Sequence, residues 1–265
     1  MSVLAPKEQL GAGYFWHGQA LLLCLVDDNA THRHHALQIT ISLSGGFRLQ
    51  LPSNDFDGRA LIITPDHPHR LVVKEGLQAV FLLEPESTVA RSLVAAYLLR
   101  GKTAALDEHL VEPFVEQLVS LSRQPPSCAE ALRICDDLLA TLLGESRQLP
   151  IDDPRICEAL ASLRQLPENK GSVQDIARSV GISESRLMHL FKEQVGIPIR
   201  RYLLWRRLMV AIDSVRAGQS LTTAAHGAGF ADSAHLSRTF RQMFGMTPVS
   251  CFKNSRFLQV VSCPQ

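Results

Sequence analysis

No apolar run in the chain approaches the ~18 residues needed to cross a bilayer, so no membrane-spanning helix is expected. There is no CxxC pair. The six cysteines, at positions 24, 128, 135, 157, 251 and 263, are scattered, as expected of reduced thiols in a cytoplasm rather than of a disulfide framework. No basic region opens the chain, and Asp27 and Asp28 follow directly on the apolar "ALLLCLV", which argues against a secretory leader. Also missing are a nucleophile elbow, a phosphate-cradling glycine loop and a paired-carboxylate motif, so nothing points to the common hydrolytic or phosphoryl-transfer chemistries.

A net charge of only +1 over 265 residues hides an asymmetry. Residues 151–265 hold 15 Lys and Arg against 9 Asp and Glu, whereas residues 1–150 hold 12 against 17. A basic C-terminal part beside an acidic remainder suggests that the former meets a polyanion, most often nucleic acid. Histidine is skewed the other way, with seven of ten before residue 151.

Three regions separate along the chain. From about Ala20 to Leu83 the pattern is strand-like: Leu37, Ile39, Ile41 and Leu43 alternate with polar residues, as do Phe47, Leu49 and Leu51. "ALIIT" and "VFLLE" follow, with turn signals such as Gly45-Gly46 and Asp57-Gly58 between. Short strands and close turns favour a small antiparallel barrel or sandwich. From Ser87 to about Glu145, Val111, Phe114, Val115 and Leu118 fall at helical spacing, as do Ile134, Leu138, Leu139 and Leu142. Such helices either cover the barrel or pair with a second subunit. "ESRQLPIDDP" reads as a linker. Beyond it helices are expected at roughly 154–166, 173–180, 184–195, 199–217, 221–228, 233–244 and 247–255. The expected fold class is α+β, with a β-barrel domain over 1–88, a helical segment over 89–148 and an all-α domain over 149–265.

The C-terminal region repeats itself. Leu187, Phe191, Lys192 and Gly196 return as Leu236, Phe240, Arg241 and Gly245, each 49 positions later. Each copy has the layout of a helix-turn-helix: a short support helix, a turn at Gly181 or Gly229, and a second helix capped by Ser183 or Asp232. The second helices would bury Leu187, Leu190, Phe191 and Val195 in one copy, and Leu236, Phe240 and Phe244 in the other. They would expose Ser185, Arg186, Met188, His189 and Lys192, and Ser233, Ala234, Ser237, Arg238 and Arg241. His226 and Gly227 are expected to interrupt the second support helix. A helix of this kind fits the major groove of B-DNA, and two on a rigid connector could enter successive grooves. The connector is "IPIRRYLLWRRLMVAIDSVRAG", whose Arg200, Arg201, Arg206 and Arg207 could reach backbone phosphates.

On "IARSVGISESRLMHLFKEQVGIPIRRYL" and "GFADSAHLSRTFRQMFGMTPVSCF", residues 151–256 resemble the DNA-binding domain of the AraC/XylS family of bacterial transcription regulators. The resemblance implies base contacts by Ser185, Met188 and His189 from the first reading helix and by Ser233, Ala234, Ser237 and Arg238 from the second. It implies a promoter-DNA partner, a homodimer, and contact with RNA polymerase if the protein activates.

"THRHHALQI" and "TPDHPHRL" place His32, His34, His35, His67 and His69 in the strand-rich region. Along a strand, His32 and His34 point to the same side, and a third imidazole from a neighbouring strand would complete a three-nitrogen divalent-metal site. The pattern resembles a small cupin barrel, which implies His32, His34 and His69 (or His67) as ligands. Gln38 stands near where that pattern would have a glutamate. Metal binding, an organic-ligand pocket without metal and a purely structural role remain open. Cys128 and Cys135, seven apart, would share one helical face and raise a redox-sensing alternative. The resulting reading is a cytoplasmic, non-enzymatic, sequence-specific DNA-binding regulator that responds to a small-molecule effector. The rivals are a metal-dependent cupin enzyme, a metal or redox sensor, and an architectural DNA-binding protein with no ligand.

Overall fold

Apolar residues at period two pleat the first part of the chain into strands β1 (Gly11–Trp16), β2 (Gln19–Leu25), β3 (Leu37–Ser42), β4 (Phe47–Gln50), β5 (Phe56–Gly58), β6 (Ala60–Ile63), β7 (Arg70–Val72) and β8 (Leu77–Leu83). Helices α1 (Thr88–Tyr97), α2 (Glu108–Arg123) and α3 (Cys128–Leu143) follow, with the short strand β9 (Thr103–Ala105) after α1. Then come α4 (Pro154–Gln165), α5 (Val173–Ser179), α6 (Glu184–Val195), α7 (Ile199–Arg216), α8 (Leu221–Gly227), α9 (Ser233–Phe244) and a last strand, β10 (Leu258–Ser262). This computed structural model describes residues 11–16, 18–25, 29–72, 76–123, 127–146, 148–165, 172–245, 247–249 and 258–263. Most of the helix expected over 247–255 lies outside them.

The strands do not close into the expected barrel. They form a seven-stranded sheet in the order β10-β1-β2-β8-β3-β6-β9 and a three-stranded sheet in the order β5-β4-β7. Pairing is antiparallel except between β1 and β10. Leu61 and Ile63 of β6 pack with Phe47, Leu49 and Leu71 of the small sheet, so the two sheets share a core without sharing strands. Strand β3 is buried along its whole length. Its Leu37, Ile39 and Ile41 join the main core, while Gln38, Thr40 and Ser42 lie on the other face, paired across the sheet with Leu82, Val80 and Gln78.

The middle helices spend their apolar stripes on the sheet. Leu93, Val111, Phe114, Leu118, Ile134 and Leu138 belong to one core with Leu37, Ile39, Phe81 and Leu83. Side chains of α1, α2 and α3 therefore share one core with the sheet. Among the described residues, the large hydrophobics left exposed are Leu99 and Val249. Strand β10 departs from the expected boundary, because it leaves the helical region and pairs with β1 from Gly11↔Leu258 to Phe15↔Ser262. The C-terminal helices build two further cores. One holds Ile156, Ile176, Leu187, Phe191 and Tyr202; the other holds Trp205, Leu208, Ala224, Leu236 and Phe240. Helix α7 contributes to both and joins them.

Candidate nucleic-acid interface and buried histidine cluster

Each repeat folds as a helix-turn-helix because its local signals agree. Gly181 and Gly229 end the support helices at φ 70° and 78°, a region glycine enters without a Cβ clash. The Ser183 hydroxyl accepts from the Arg186 amide, and an Asp232 carboxylate oxygen accepts from the His235 amide at 2.6 Å, so both reading helices start on a side-chain cap. Leu187, Leu190, Phe191 and Val195 of α6 are buried, and so are Leu236, Thr239, Phe240 and Met243 of α9.

The opposite faces carry the expected reading residues. Ser185, Arg186, His189 and Lys192 are exposed, while Met188 is half-buried against its own core. On α9, Ala234, Arg238 and Arg241 are exposed, and half-buried Ser233 and Ser237 line, with Ala234, a cleft of about 460 Å³ beside Leu221 and Pro248. His226 and Gly227 do not interrupt α8; they are its last two residues, where an unfavourable helix former costs little. Phe244 is half-buried and also packs against the cluster of Ala36, Val80 and Leu82 in the N-terminal sheet.

The C-terminal ends of both reading helices are held by the N-terminal domain. The last carbonyls of a helix lack intrahelical donors. At α6 the Arg91 guanidinium of α1 donates to the Gln194 carbonyl. At α9 the Arg33 amide donates to Gln242 O at 3.1 Å and the Ala30 amide to Gly245 O at 3.0 Å. Connector α7 is held as well. Arg201 Nη1 lies 2.8 Å from Asp66 Oδ1, so in this arrangement it faces the N-terminal domain rather than solvent. Arg206 donates to Arg164 O at 3.3 Å, and Arg200 lies 3.6 Å from Glu184. The His35 ring stacks on Trp205 with centroids 5.3 Å apart and lies 5.4 Å from Tyr202; its Nε2 is 3.8 Å from a Glu86 oxygen. Nothing in the sequence marked Arg91, Asp66 or Glu86 as interface residues.

The loop that touches α9 also carries the histidines. His32 and His69 exchange main-chain hydrogen bonds of 2.9 Å, an isolated antiparallel bridge that brings the two histidine segments together. His32, His34 and His69 are all buried, and their candidate ligand atoms lie within 4.8 Å of one another. His67 is half-buried and contributes its carbonyl, not its ring. Each of the three imidazoles has Nδ1 against a main-chain oxygen: Ala30 O at 3.0 Å, Ala36 O at 3.0 Å and His67 O at 2.9 Å. Carbonyl acceptors at Nδ1 fix the proton there and turn the Nε2 lone pair inward, as in many metal-ligating histidines. His69 Nε2 is buried with no hydrogen-bond partner. Burial pushes all three rings below the ordinary imidazole range, His34 to about 4 with the neighbouring His32 adding to it, so they are neutral and able to ligate at pH 7.

Gln38 complicates the donor set. Its Oε1 lies 2.6 Å from His34 Nε2 and its Nε2 2.8 Å from Thr40 Oγ1. With the His34 proton on Nδ1, both atoms of that 2.6 Å contact would be acceptors. Turning the amide over resolves this, its NH₂ then donating to His34 and its oxygen accepting from Thr40. A tetrahedral ion with nitrogens at ~2.0–2.1 Å would need the rings to draw closer than 4.8 Å and His34 to give up Gln38. The three imidazoles fit a divalent ion of the zinc class, with Gln38 as a neutral neighbour.

The two-head geometry has relatives. A helix-turn-helix domain family matches residues 176–254. An AraC-like transcription regulator of Streptomyces lividans is 33% identical over 97 residues, covering 36% of this chain and 32% of that protein. The helix-turn-helix-type transcriptional regulator YidL of Escherichia coli is 31% identical over 102 residues, covering 38% of this chain and 34% of that protein. Over this C-terminal region the chain is similar to AraC-like transcription regulators. The matched region is about a third of the length of these two relatives. Solved structures extend the likeness of fold to the N-terminal domain. ToxT of Vibrio cholerae bound to a methylnaphthalenyl butenoic acid superposes with a TM-score of 0.58 at 13% identity, covering 90% of this chain and 99% of that one. ToxT bound to an unsaturated fatty acid gives 0.54 at 12% identity, covering 93% and 98%. Among the described residues, no helix is long and apolar enough to cross a membrane.

Proposed function

We propose that the chain is a sequence-specific DNA-binding transcription regulator whose N-terminal domain senses a ligand at the buried histidine cluster. The observation that carries the DNA-binding part is the pair of capped reading helices, α6 and α9, with polar faces exposed and α7 between them. Ser185, Arg186, Met188, His189 and Lys192 are assigned to one half-site; Ser233, Ala234, Ser237, Arg238 and Arg241 to the other. Arg238 is the strongest reader, because a guanidinium can pair bidentately with guanine. Arg201 and Arg206 are assigned to phosphate in a state where the domain interface has opened.

For the sensory part, the same short loop supplies His32 and His34 and the amides that hold α9. A ligand that shifts this loop would shift the reading helix with it. A divalent first-row ion of the zinc class fits the three neutral imidazoles. ToxT takes an unsaturated fatty acid. Here the polar side chains identified on the inner face of the sheet, Gln38, Thr40, Ser42 and Gln78, are neutral, which favours the ion over a carboxylate effector. The homodimer, the cytoplasmic location and contact with RNA polymerase expected from the sequence belong to this proposal. An enzymatic rival would need the same three histidines and a substrate beside them.

The test is binding of the full-length protein to duplexes selected from a random pool, with and without zinc. Zinc should bind near-stoichiometrically and change DNA affinity. Changing His32, His34 and His69 to alanine should abolish the zinc effect but keep DNA binding, and His67→Ala should leave both intact. Absence of selected sequences would refute the regulator; zinc-independent binding by the unmodified protein would refute the metal input alone.

A further inference from the structure

Six scattered cysteines predict reduced thiols, yet the fold joins two of them. Cys128, the first residue of α3, and Cys263, which follows β10, form a disulfide across 135 positions with Cα atoms 5.4 Å apart. Cys135, the partner suggested by helical spacing, is buried and unpaired, and burial raises its thiol far above the ordinary range. Cys24 and Cys157 form no disulfide, and Cys251 lies outside the described residues.

The pair closes a loop around the whole AraC-type domain. Where that domain begins, it is fastened to α1: the Leu149 amide donates to Ser92 Oγ at 2.9 Å, and Arg91 donates to Leu149 O and Pro150 O at 2.9 and 3.2 Å. Beyond the domain, β10 lies along the edge of β1, the Cys263 amide donates to Phe15 O at 3.2 Å, and the disulfide adds a covalent tie to α3. Without that tie the second fastening would be a short parallel edge strand, among the weaker pairings a sheet offers.

We propose that Cys128 and Cys263 form a reversible redox latch that sets how firmly the DNA-reading domain is docked on the N-terminal domain. The oxidant is a small-molecule disulfide of the glutathione class. One protein thiolate attacks that disulfide, releasing a glutathione thiolate and leaving a mixed disulfide. The second protein thiolate displaces the other glutathione and closes the protein bond. Two cysteine thiols are oxidised, one glutathione disulfide is reduced, and the two protons pass to the released glutathione sulfurs. The position of Cys128 at the N-terminus of a 16-residue helix favours its thiolate as the attacking group. The latch rests on the placement of the cysteines and not on the histidine cluster.

The test uses the full-length protein equilibrated with oxidised or reduced glutathione. Peptide mapping after alkylation should find Cys128 joined to Cys263 in the oxidised sample. Hydrogen exchange is read at the amides of Ala30 and Arg33, which are bonded to the end of α9. It should be about tenfold slower in the oxidised sample, since a second tether raises the effective concentration of the docked partner. Cys128→Ser and Cys263→Ser should each remove the difference, and the reduced unmodified protein is the reference should either fold poorly. Pairing through another cysteine would overturn the latch, as would no pairing under conditions that oxidise the unfolded chain. A stoichiometric Cys128–Cys263 bond with unchanged exchange would overturn its control of docking.

Discussion

Gly196 and Gly245 are the same position of the repeat, and their surroundings differ in one respect that can be measured. Each ends its reading helix in the left-handed region, at φ 88° and 73°. A Cβ at Gly196 would meet nothing within 4 Å. A Cβ at Gly245 would lie 2.8 Å from Ala30 O, 2.8 Å from His32 Nδ1 and 3.0 Å from Asn29 Cβ. Alanine at either site carries the left-handed penalty of about 1 kcal/mol. At Gly245 it must also push the Asn29–His32 loop away, straining or breaking the Ala30–Gly245 hydrogen bond and displacing an imidazole of the cluster. Loss of one main-chain hydrogen bond with local repacking adds about 1–2 kcal/mol. Gly245→Ala should therefore destabilise by about 2–3 kcal/mol, against about 1 for Gly196→Ala, in urea unfolding followed by circular dichroism. Gly245→Ala should also weaken zinc binding, whereas Gly196→Ala leaves it alone. Equal destabilisation by the two variants, with equal zinc affinity, would refute the claim that the histidine loop and the second reading helix form one interface.

Arg238→Ala should relax discrimination at a single base pair by about 1–3 kcal/mol without abolishing binding, read as affinities across a panel of single-site variants. Glu84 sits beside Glu86, and burial, with Glu86 adding to it, raises its carboxyl to about 7, whereas Glu86 is held below the ordinary range despite its burial by the neighbouring His35, whose Nε2 lies 3.8 Å away. An acid whose folded pKa exceeds its unfolded one stabilises the fold below the unfolded value and loses that contribution as pH rises to the folded value. Between about 4.5 and 7, Glu84 thus withdraws up to about 3 kcal/mol. The buried histidines act oppositely over nearly the same window, His34 depressed to about 4 and His32, His35 and His69 lowered with it, so the unmodified protein gains stability as pH rises despite Glu84. Glu84→Gln should steepen that rise between about pH 4.5 and 6.5, read as unfolding free energy against pH; an unchanged profile would mean that the Glu84 carboxyl is not raised in the folded chain.

The helical half was legible because every signal there was local. Caps at Ser183 and Asp232, glycines at 181 and 229 and the apolar spacing place the boundaries of α6 and α9 without help from the rest of the fold. The histidine cluster was legible for a related reason, since His32 and His34 share a strand side and one partner had to come from elsewhere. That the partner is His69 and not His67 depends on the 32–69 bridge, which no local pattern encodes. Strand β1 hides behind its glycines, Gly11 and Gly13, and β10 behind a long helical domain, although "LQVVS" has the β-branched content of a strand. The alternation in β3 gave the main core correctly, but it could not show that Gln38, Thr40 and Ser42 on the other face are buried as well. The cysteine pair was invisible because spacing carries no information about partners 135 positions apart.

Arg201 connects the two halves of the proposal, since one guanidinium cannot serve Asp66 and a phosphate together. At 2.8 Å from Asp66, with Arg33 a further 3.7 Å partner of the same carboxylate, it is committed to the N-terminal domain in the docked state. DNA binding must then either forgo that phosphate contact or break the ion pair. Asp66→Asn separates these cases. Asparagine tolerates the left-handed backbone that Asp66 adopts at φ 62°, so the turn survives while the charge is lost. Each phosphate neutralised contributes about 0.9 to the slope of log affinity against log salt. If the ion pair competes with DNA, Asp66→Asn should steepen that slope by about one contact and raise affinity at low salt. Adding Arg201→Ala should then return the slope to that of the unmodified protein. An unchanged slope in Asp66→Asn would mean that Arg201 stays on the N-terminal side even in the DNA complex, and that the reading helices engage DNA without undocking.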